Sequence, residues 1–325
     1  MAETAKNVIT TTLNKWSPKL YDSVTNQNGV LYYFKSFGKG DEKRGDKPQG
    51  SIATANGGKQ IEEDVFLLEN PNVGFVAFDE TIATDEADVM DEAIFDWKYC
   101  YGNAVLFDAK IKMNADTKRR KHKLVKAVIQ NAEDTMINKV GESIWNTTDV
   151  DGLTGIPQLI TDDGTTTTVG GLSTVTYANW ANKFQALAAV HTSEELLASM
   201  STLYRKCKRG NKSVDLIVMG DVLYGEYEAA LIANKRYKGT SKMADAGFES
   251  LMYNGATVLY DENCPANRIY FINTKYMIFN FHKDAMFSVG DMEKQFGQQK
   301  YAWPITSMCE FSLRGRRDHG VIVVA

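Results

Sequence analysis

The chain has 325 residues, of which 43% are hydrophobic and 24% are charged, and its formal net charge is −4. This composition is typical of a soluble globular protein with room for about two domains. The small negative charge excludes a bulk attraction to nucleic acid or to an anionic membrane, so any contact with nucleic acid requires a local basic patch. The first residues of the sequence are polar and do not have the pattern of a secretory signal, and no run of 18 apolar residues occurs. We therefore expect a cytoplasmic chain without a membrane-spanning helix.

The residues that usually carry chemistry are scattered. The four cysteines stand apart from one another, which favours reduced, buried thiols over a disulfide framework. The four histidines are equally dispersed, and neither a metal-binding spacing nor a nucleophile motif can be found. Gly57-Gly58-Lys59 lacks the remaining residues of a phosphate-binding loop. We therefore predict no catalytic residue, no metal site and no cofactor.

The first 72 residues combine an arm with a long irregular stretch. Residues 1–29 are polar and rich in threonine, and the run Val30–Phe34 predicts a strand. Glycines and charged residues then dominate as far as Asp64, before strand character returns at residues 65–68 and 73–78. Long segments of this kind are uncommon inside a compact domain. The pattern predicts a projecting hairpin that packs on a neighbouring molecule.

Two helices are predicted next. The acidic residues after Thr84 favour a helix that runs to about Phe107. A longer helix is predicted over residues 114–145, because apolar residues recur there at intervals of three and four. Those apolar positions are Val125, Ile129, Ala132, Met136 and Val140. This helix is long enough to be the central structural support of the molecule.

The second half of the chain alternates between helices and strands. A helix is predicted around residues 180–188, a second after the capping box Thr192–Glu195, and a third from Asp221. Buried strands are predicted at residues 214–219 and 256–260. Four further strands are predicted near the end of the chain, at residues 269–272, 276–281, 301–313 and 321–324. The pattern indicates an α/β module over about residues 150–266, followed by antiparallel strands.

Three local stretches are distinctive: Asp215-Leu216-Ile217-Val218-Met219-Gly220, Gly255-Ala256-Thr257-Val258-Leu259-Tyr260 before Cys264-Pro265, and Arg268-Ile269-Tyr270-Phe271-Ile272-Asn273. Together with the order of the elements, they resemble the major capsid proteins of tailed bacteriophages. The resemblance implies the α+β Hong Kong phage-type fold, which encapsulins share. Its parts would be an N-terminal arm at 1–29, an extended loop hairpin at 30–72, a peripheral domain at 73–149 and 267–325 with the spine helix at 114–145, and an axial domain at 150–266.

The same resemblance implies a function. It makes the chain a structural subunit, not an enzyme, that self-assembles as hexamers and pentamers into an icosahedral shell around double-stranded DNA. The implied partners also include scaffolding, portal and decoration proteins, but no membrane. The expected location is the virion, with assembly in the cytoplasm of the host bacterium. Two alternatives stay open: an encapsulin-like protein compartment, and an α/β enzyme with its site within residues 150–266.

Two groups of charged residues are candidate contacts. The loop is expected to touch a neighbouring subunit through Lys43, Arg44, Asp46 and Lys47. The leading end of the long helix is expected to face DNA through Lys118, Arg119, Arg120, Lys121 and Lys123. The alternative for this second group is a solvated helix end, and no aromatic residues lie among these cations to stack on bases.

Overall fold

The computed structural model describes residues 29–36, 52–75, 77, 85–113, 118–164, 167–210, 212–233, 250–294 and 296–325. Its helices are α1 (Gly29–Ser36), α2 (Asp108–Met113), α3 (Lys118–Ile144), α4 (Ile156–Leu159), α5 (Ser193–Cys207) and α6 (Asp221–Ala233). The strands of the first half are β1 (Ile52–Ala55), β2 (Gln60–Phe66), β3 (Met90–Asp96), β4 (Lys98–Phe107), β5 (Thr168–Val169) and β6 (Leu172–Ser173). Those of the second half are β7 (Lys183–Leu187), β8 (Leu216–Met219), β9 (Ser250–Tyr253), β10 (Ala256–Tyr260), β11 (Arg268–Ile272), β12 (Met277–His282), β13 (Ser288–Val289), β14 (Glu293–Lys294), β15 (Lys300–Leu313) and β16 (Gly320–Val324).

The chain divides into two units, each made of separate segments. Unit 1 consists of Met1–Lys59, Trp97–Gly155 and Phe279–Phe311. Unit 2 consists of Gln60–Asp96, Ile156–Ile278 and Ser312–Ala325. The domain boundaries inferred from the resemblance stay a prediction.

Unit 1 is built on a mixed sheet with the long helix α3 packed against it. The sheet runs β1-β12-β15-β13, and β14 and β4 also pair with β15. The pairing of β4 with β15 is antiparallel and continuous from Lys98 opposite Cys309 to Phe107 opposite Lys300. The fully buried side chains of Ile129, Trp303 and Ile305 join α3 to this sheet. The helix predicted at residues 114–145 is therefore present as Lys118–Ile144, and residues 114–117 lie outside the described part of the chain.

Unit 2 contains a six-stranded sheet in the order β7-β16-β11-β8-β10-β9. Its middle strand β8 is buried along its whole length, as the run Leu216–Met219 predicts for a strand with neighbours on both sides. Helices α5 and α6 contribute to the same apolar core, which also takes alternate residues of the strands. The predicted capping box is confirmed, because the Thr192 hydroxyl accepts from the Glu195 amide and the Glu195 carboxylate accepts from the Thr192 amide.

A hairpin of β2 and β3 also belongs to unit 2, with Gln60 opposite Asp96 and Phe66 opposite Met90. The middle of its first strand is held by Glu63, which is 3% exposed and accepts hydrogen bonds from the Ser312 hydroxyl (3.0 Å) and the Arg314 guanidinium (2.5 Å). Burial of a charge is tolerated when it is paired and hydrogen-bonded, so these two donors fix the first strand of the hairpin.

In three places the structure has a helix where a strand is predicted, or a strand where a helix is predicted. Residues 30–34 form part of helix α1, because Val30, Leu31, Tyr33 and Phe34 are all buried, at spacings that suit one face of a helix. The helix predicted from Thr84 to Phe107 is replaced by β3 and β4, whose side chains alternate between more and less buried faces. The helix predicted at residues 180–188 is a short 3-10 turn, Ala178–Trp180, followed by β7.

The predicted extended loop can be compared only at its two ends. Residues 37–51, with most of its glycines and charges, lie outside the described residues. At its far end, the strand predicted at residues 65–68 corresponds to the end of β2, while residues 73–75 are not in a strand. The hairpin that the structure does describe therefore has its strands at β2 and β3.

Candidate functional site

An exposed apolar stripe runs along one face of β4 in unit 1. Side chains of a strand alternate between its two faces, and here Ala104 and Leu106 are buried in the core with α3. The opposite face carries Tyr99, Tyr101, Val105 and Phe107, all of which are exposed; for Tyr101 the exposed fraction is 72%. Single exposed apolar residues are ordinary, but four along one strand form a patch of the kind that marks an interaction surface.

A second exposed apolar group lies on the hairpin of unit 2 and on the loop that follows β2. Phe66 and Met90 are opposite each other in the ladder, and both side chains are exposed. Beyond them, Leu68 and Val73 are exposed, and the Phe75 side chain is fully exposed. Neither this group nor the β4 stripe was predicted from the sequence. The available signal for the stripe is that Tyr99, Tyr101, Val105 and Phe107 are separated by even numbers of residues, but the sequence predicts a helix over this segment.

The predicted loop contacts Lys43, Arg44, Asp46 and Lys47 all lie outside the described residues. The predicted DNA-facing residues Lys118, Arg119, Arg120, Lys121 and Lys123 lie in the first two turns of α3. Their backbone is helical, and their side chains are outside the part of the structure that is described. No acidic residue lies in the first turn of this helix. Five formal cations therefore stand at the helix end that carries the positive pole of the dipole, where positive charge is unfavourable.

Unit 1 contains two buried carboxyl groups, Glu310 and Glu133, which differ in their hydrogen bonding. The Glu310 side chain is 0% exposed and accepts hydrogen bonds from the amides of Thr154 (3.1 Å) and Phe311 (2.8 Å). It thereby holds the turn that follows α3, although burial raises the pKa of this carboxyl to about 7. Glu133 lies four residues after Ile129 and four before Ile137, on the buried face of α3. Burial, and then the charge of Asp134, raise the pKa of Glu133 to about 8.

A cavity of about 240 Å³ in unit 1 is lined by side chains that include Lys98, Cys100, Lys139 and Cys309. Burial raises the pKa of both thiols, so neither is activated as a nucleophile. Among the residues that the structure describes, no three histidine, cysteine or carboxylate side chains are grouped as metal ligands. In the same residues, no helix is long and apolar enough to cross a membrane.

No protein-family model matches the sequence, and no curated protein matches it. Solved structures do match. The chain is similar to the capsid of cyanophage A-1(L), with a TM-score of 0.66 and 16% identity over 84% of this chain and 89% of that chain. The chain has the capsid fold of tailed bacteriophages.

Two further structures support this fold. The capsid of the Myoviridae phage XM1 gives a TM-score of 0.54 at 12% identity, over 85% of this chain and 90% of that chain. A virus-like particle from Pyrococcus furiosus gives 0.52 at 10% identity, over 94% of this chain and 98% of that chain. These likenesses confirm the α+β phage capsid fold that the order of elements predicts. The two exposed apolar groups on β4 and on the hairpin are candidate interaction surfaces.

Proposed function

We propose that this chain is a capsid subunit that self-assembles into an icosahedral shell and acts as a structural protein, not as an enzyme. The observation that carries the proposal is the match to a phage capsid over most of both chains. The shell would contain hexamers and pentamers of the chain and form the outer part of a virion. Scaffolding, portal and decoration proteins remain its proposed partners, and host cytoplasm remains the proposed place of assembly.

The exposed apolar groups of both units support assembly with further copies of the same chain. Covering an aromatic or large aliphatic side chain is worth about 1.5–3 kcal/mol. Tyr101, Phe107, Phe66 and Phe75 each leave much of their surface in water in the single chain. In a closed shell every subunit makes such contacts with several neighbours at once, so modest individual contacts add up to a stable assembly.

We propose that the shell encloses double-stranded DNA and that the start of α3 faces it. The basic residues at 118–123 stand at the positive pole of the α3 dipole, with no acidic residue in the first turn. Phosphate groups placed there would lower the repulsion between these charges, and phosphate contacts require no base-specific geometry. The proposed loop contacts through Lys43, Arg44, Asp46 and Lys47 would add charged pairs between subunits, each worth about 0–1 kcal/mol.

Electron microscopy of the full-length protein tests the proposal. Negatively stained samples, alone and with a scaffolding protein, are expected to contain closed shells or rings of capsomers. A protein that stays monomeric under every assembly condition contradicts the proposal.

The nucleic-acid content of particles isolated from infected cells tests the second part. Intact double-stranded DNA protected from nuclease is the expected result. Particles that contain protein cargo and no DNA would instead assign the chain to an encapsulin-like compartment.

A further inference from the structure

A basic cavity of about 270 Å³ lies within unit 2. Its lining includes five cationic side chains and two carboxylates. The cations are Arg209, Lys212, Arg314, Arg316 and Arg317, and the carboxylates are Glu69 and Asp318. Since the chain as a whole has a net charge of −4, this concentration of positive charge is a local property of the cavity.

Two of the five cations are paired with carboxylates. The Arg314 guanidinium donates to Glu63 at 2.5 Å, and the Lys212 ammonium lies 3.5 Å from Asp318. The Arg317 guanidinium donates instead to the neutral amide oxygen of Asn179 at 2.7 Å. Among the described residues, Arg209 has no side-chain hydrogen bond or ion pair. The positive charge of the cavity is therefore only partly neutralised by the protein itself.

Arg316 is the buried member of the group, with 0% of the residue exposed. Its Nε donates to the Leu159 carbonyl oxygen at 2.8 Å, and its Nη2 donates to the hydroxyls of Thr161 (2.7 Å) and Thr167 (2.9 Å). The remaining nitrogen, Nη1, has no hydrogen-bond partner among the described residues. Buried polar groups of native proteins nearly always have a partner, so this unpaired nitrogen adds to the unbalanced positive charge at the wall of the cavity.

The surroundings of Arg316 favour a negatively charged partner. Its three acceptors are all neutral oxygen atoms, and burial lowers the pKa of the guanidinium to about 10. The nearby charge of Asp163 offsets only part of this effect. An oxyanion in the cavity would compensate the positive charge, because arginine guanidinium groups bind phosphate and carboxylate oxygens through paired, charge-assisted hydrogen bonds.

We propose that this cavity is a binding site for a free phosphate ion or a small phosphate ester. Arg209 and Arg317 would donate to the phosphate oxygens, while Lys212 and the buried Arg316 supply further positive charge. A cavity of about 270 Å³ is slightly smaller than typical sites for larger organic ligands, which favours a compact anion. The proposal concerns unit 2 alone and does not depend on assembly of the chain into a shell.

Binding is measured by isothermal titration of inorganic phosphate into the unassembled full-length chain at constant ionic strength. The wild-type chain is expected to bind one phosphate saturably. The double variant Arg209→Gln/Arg317→Gln, which spares the buried Arg316, is expected to bind at least about tenfold more weakly, since each charge-assisted hydrogen bond is worth roughly 1.5–3 kcal/mol. The matched control is Lys206→Gln/Lys208→Gln, which removes two exposed cations of unit 2 that do not line the cavity. It should bind phosphate within about twofold of the wild type.

Absence of saturable binding by the folded wild-type chain overturns the proposal, as does equal weakening in the double variant and its control. Circular dichroism confirms that each variant is folded. The same titration with acetate and with a duplex oligonucleotide identifies the source of the anion. Acetate that binds more tightly than phosphate would assign the cavity to carboxylates, and a duplex that displaces phosphate would assign it to the nucleic-acid backbone. Either result replaces the free phosphate proposed here.

Discussion

Replacement of the buried carboxyl group on α3 should stabilise unit 1 in a pH-dependent manner. Glu133 is 3% exposed, and its Oε2 atom has no hydrogen-bond partner among the described residues. Because burial raises its pKa from 4.5 to about 8, the folded chain must keep this carboxyl protonated near neutral pH, whereas the unfolded chain ionises it. The wild type therefore has the full contribution of this group below pH 4.5 and loses it as the pH rises towards 8. Glu133→Gln, which cannot ionise, should avoid this loss.

The size of this effect on the free energy of unfolding follows from the shift in the pKa of Glu133. Between the unfolded pKa and pH 7 the linkage amounts to roughly 3 kcal/mol at about 1.4 kcal/mol for each pH unit. We expect a gain of about 1–3 kcal/mol at pH 7, the same range as the cost of an unsatisfied buried group. Thermal unfolding of the unassembled chain, followed by circular dichroism at pH 5, 6, 7 and 8, measures it. The expected result is a melting temperature that matches the wild type at pH 5 and exceeds it increasingly towards pH 8.

The matched control is Glu142→Gln on the same helix. The Glu142 side chain is 50% exposed and pairs with exposed Lys139, so its replacement should change stability by no more than about 0.5 kcal/mol at any pH. A Glu133→Gln variant that is no more stable than the wild type at pH 8, or whose gain is the same at pH 5 and pH 8, would refute the reasoning.

Three further predictions concern assembly. Tyr101→Ser should leave the unfolding temperature nearly unchanged, because this side chain is 72% exposed. The same change should raise the protein concentration needed for shell formation about tenfold or more, as measured by light scattering, with Tyr260→Ser as the control. Assembly of Tyr101→Ser at the wild-type concentration would show that the β4 stripe is not a contact. Replacing all five cations within residues 118–123 by Gln should preserve folding and shell formation and reduce the DNA retained per particle, whereas an unchanged DNA content would leave these residues as a solvated helix end. Deletion of residues 39–50, which include the proposed loop contacts and leave strand β1 in place, should give a folded chain that no longer assembles; intact shells of this variant in electron micrographs would remove the loop from the subunit contacts.

The elements with one strong local signal could be predicted from the sequence. The apolar residues of α3 recur at helical spacing over many turns, and β8 is a short apolar run between polar residues. The start of α5 is marked by the reciprocal bonds of Thr192 and Glu195. In each case the local pattern and the tertiary environment favour the same structure.

The elements that were predicted wrongly have a local pattern that fits two structures. The run Val30–Phe34 is rich in residues that favour strands, yet its burial on a helical face in α1 overrides that preference. The apolar residues Met90, Ile94, Trp97 and Tyr101 recur at intervals of three and four, which fits a helix, but they lie in the segment that forms β3 and β4. The cavity around Arg316 could not be predicted, because Leu159, Thr161 and Thr167 meet this residue only in the folded chain.

The hairpin of β2 and β3 has a consequence for how force would pass through the proposed shell. Both strands are tied to other segments of unit 2 at the point where the connecting loop begins: Asn179 donates to the Leu67 carbonyl oxygen at 3.0 Å, and Tyr177 donates to Asp91 at 2.9 Å. Ile94 adds a backbone bond to Gly170 at 2.9 Å. A force applied to the loop by a neighbouring molecule is thus transmitted to the rest of unit 2 through both strands, at the two hydrogen bonds next to the loop. It does not act on a single strand alone. In the proposed shell a load on the hairpin would be shared by these anchors, which are formed by Tyr177, Asn179 and Gly170.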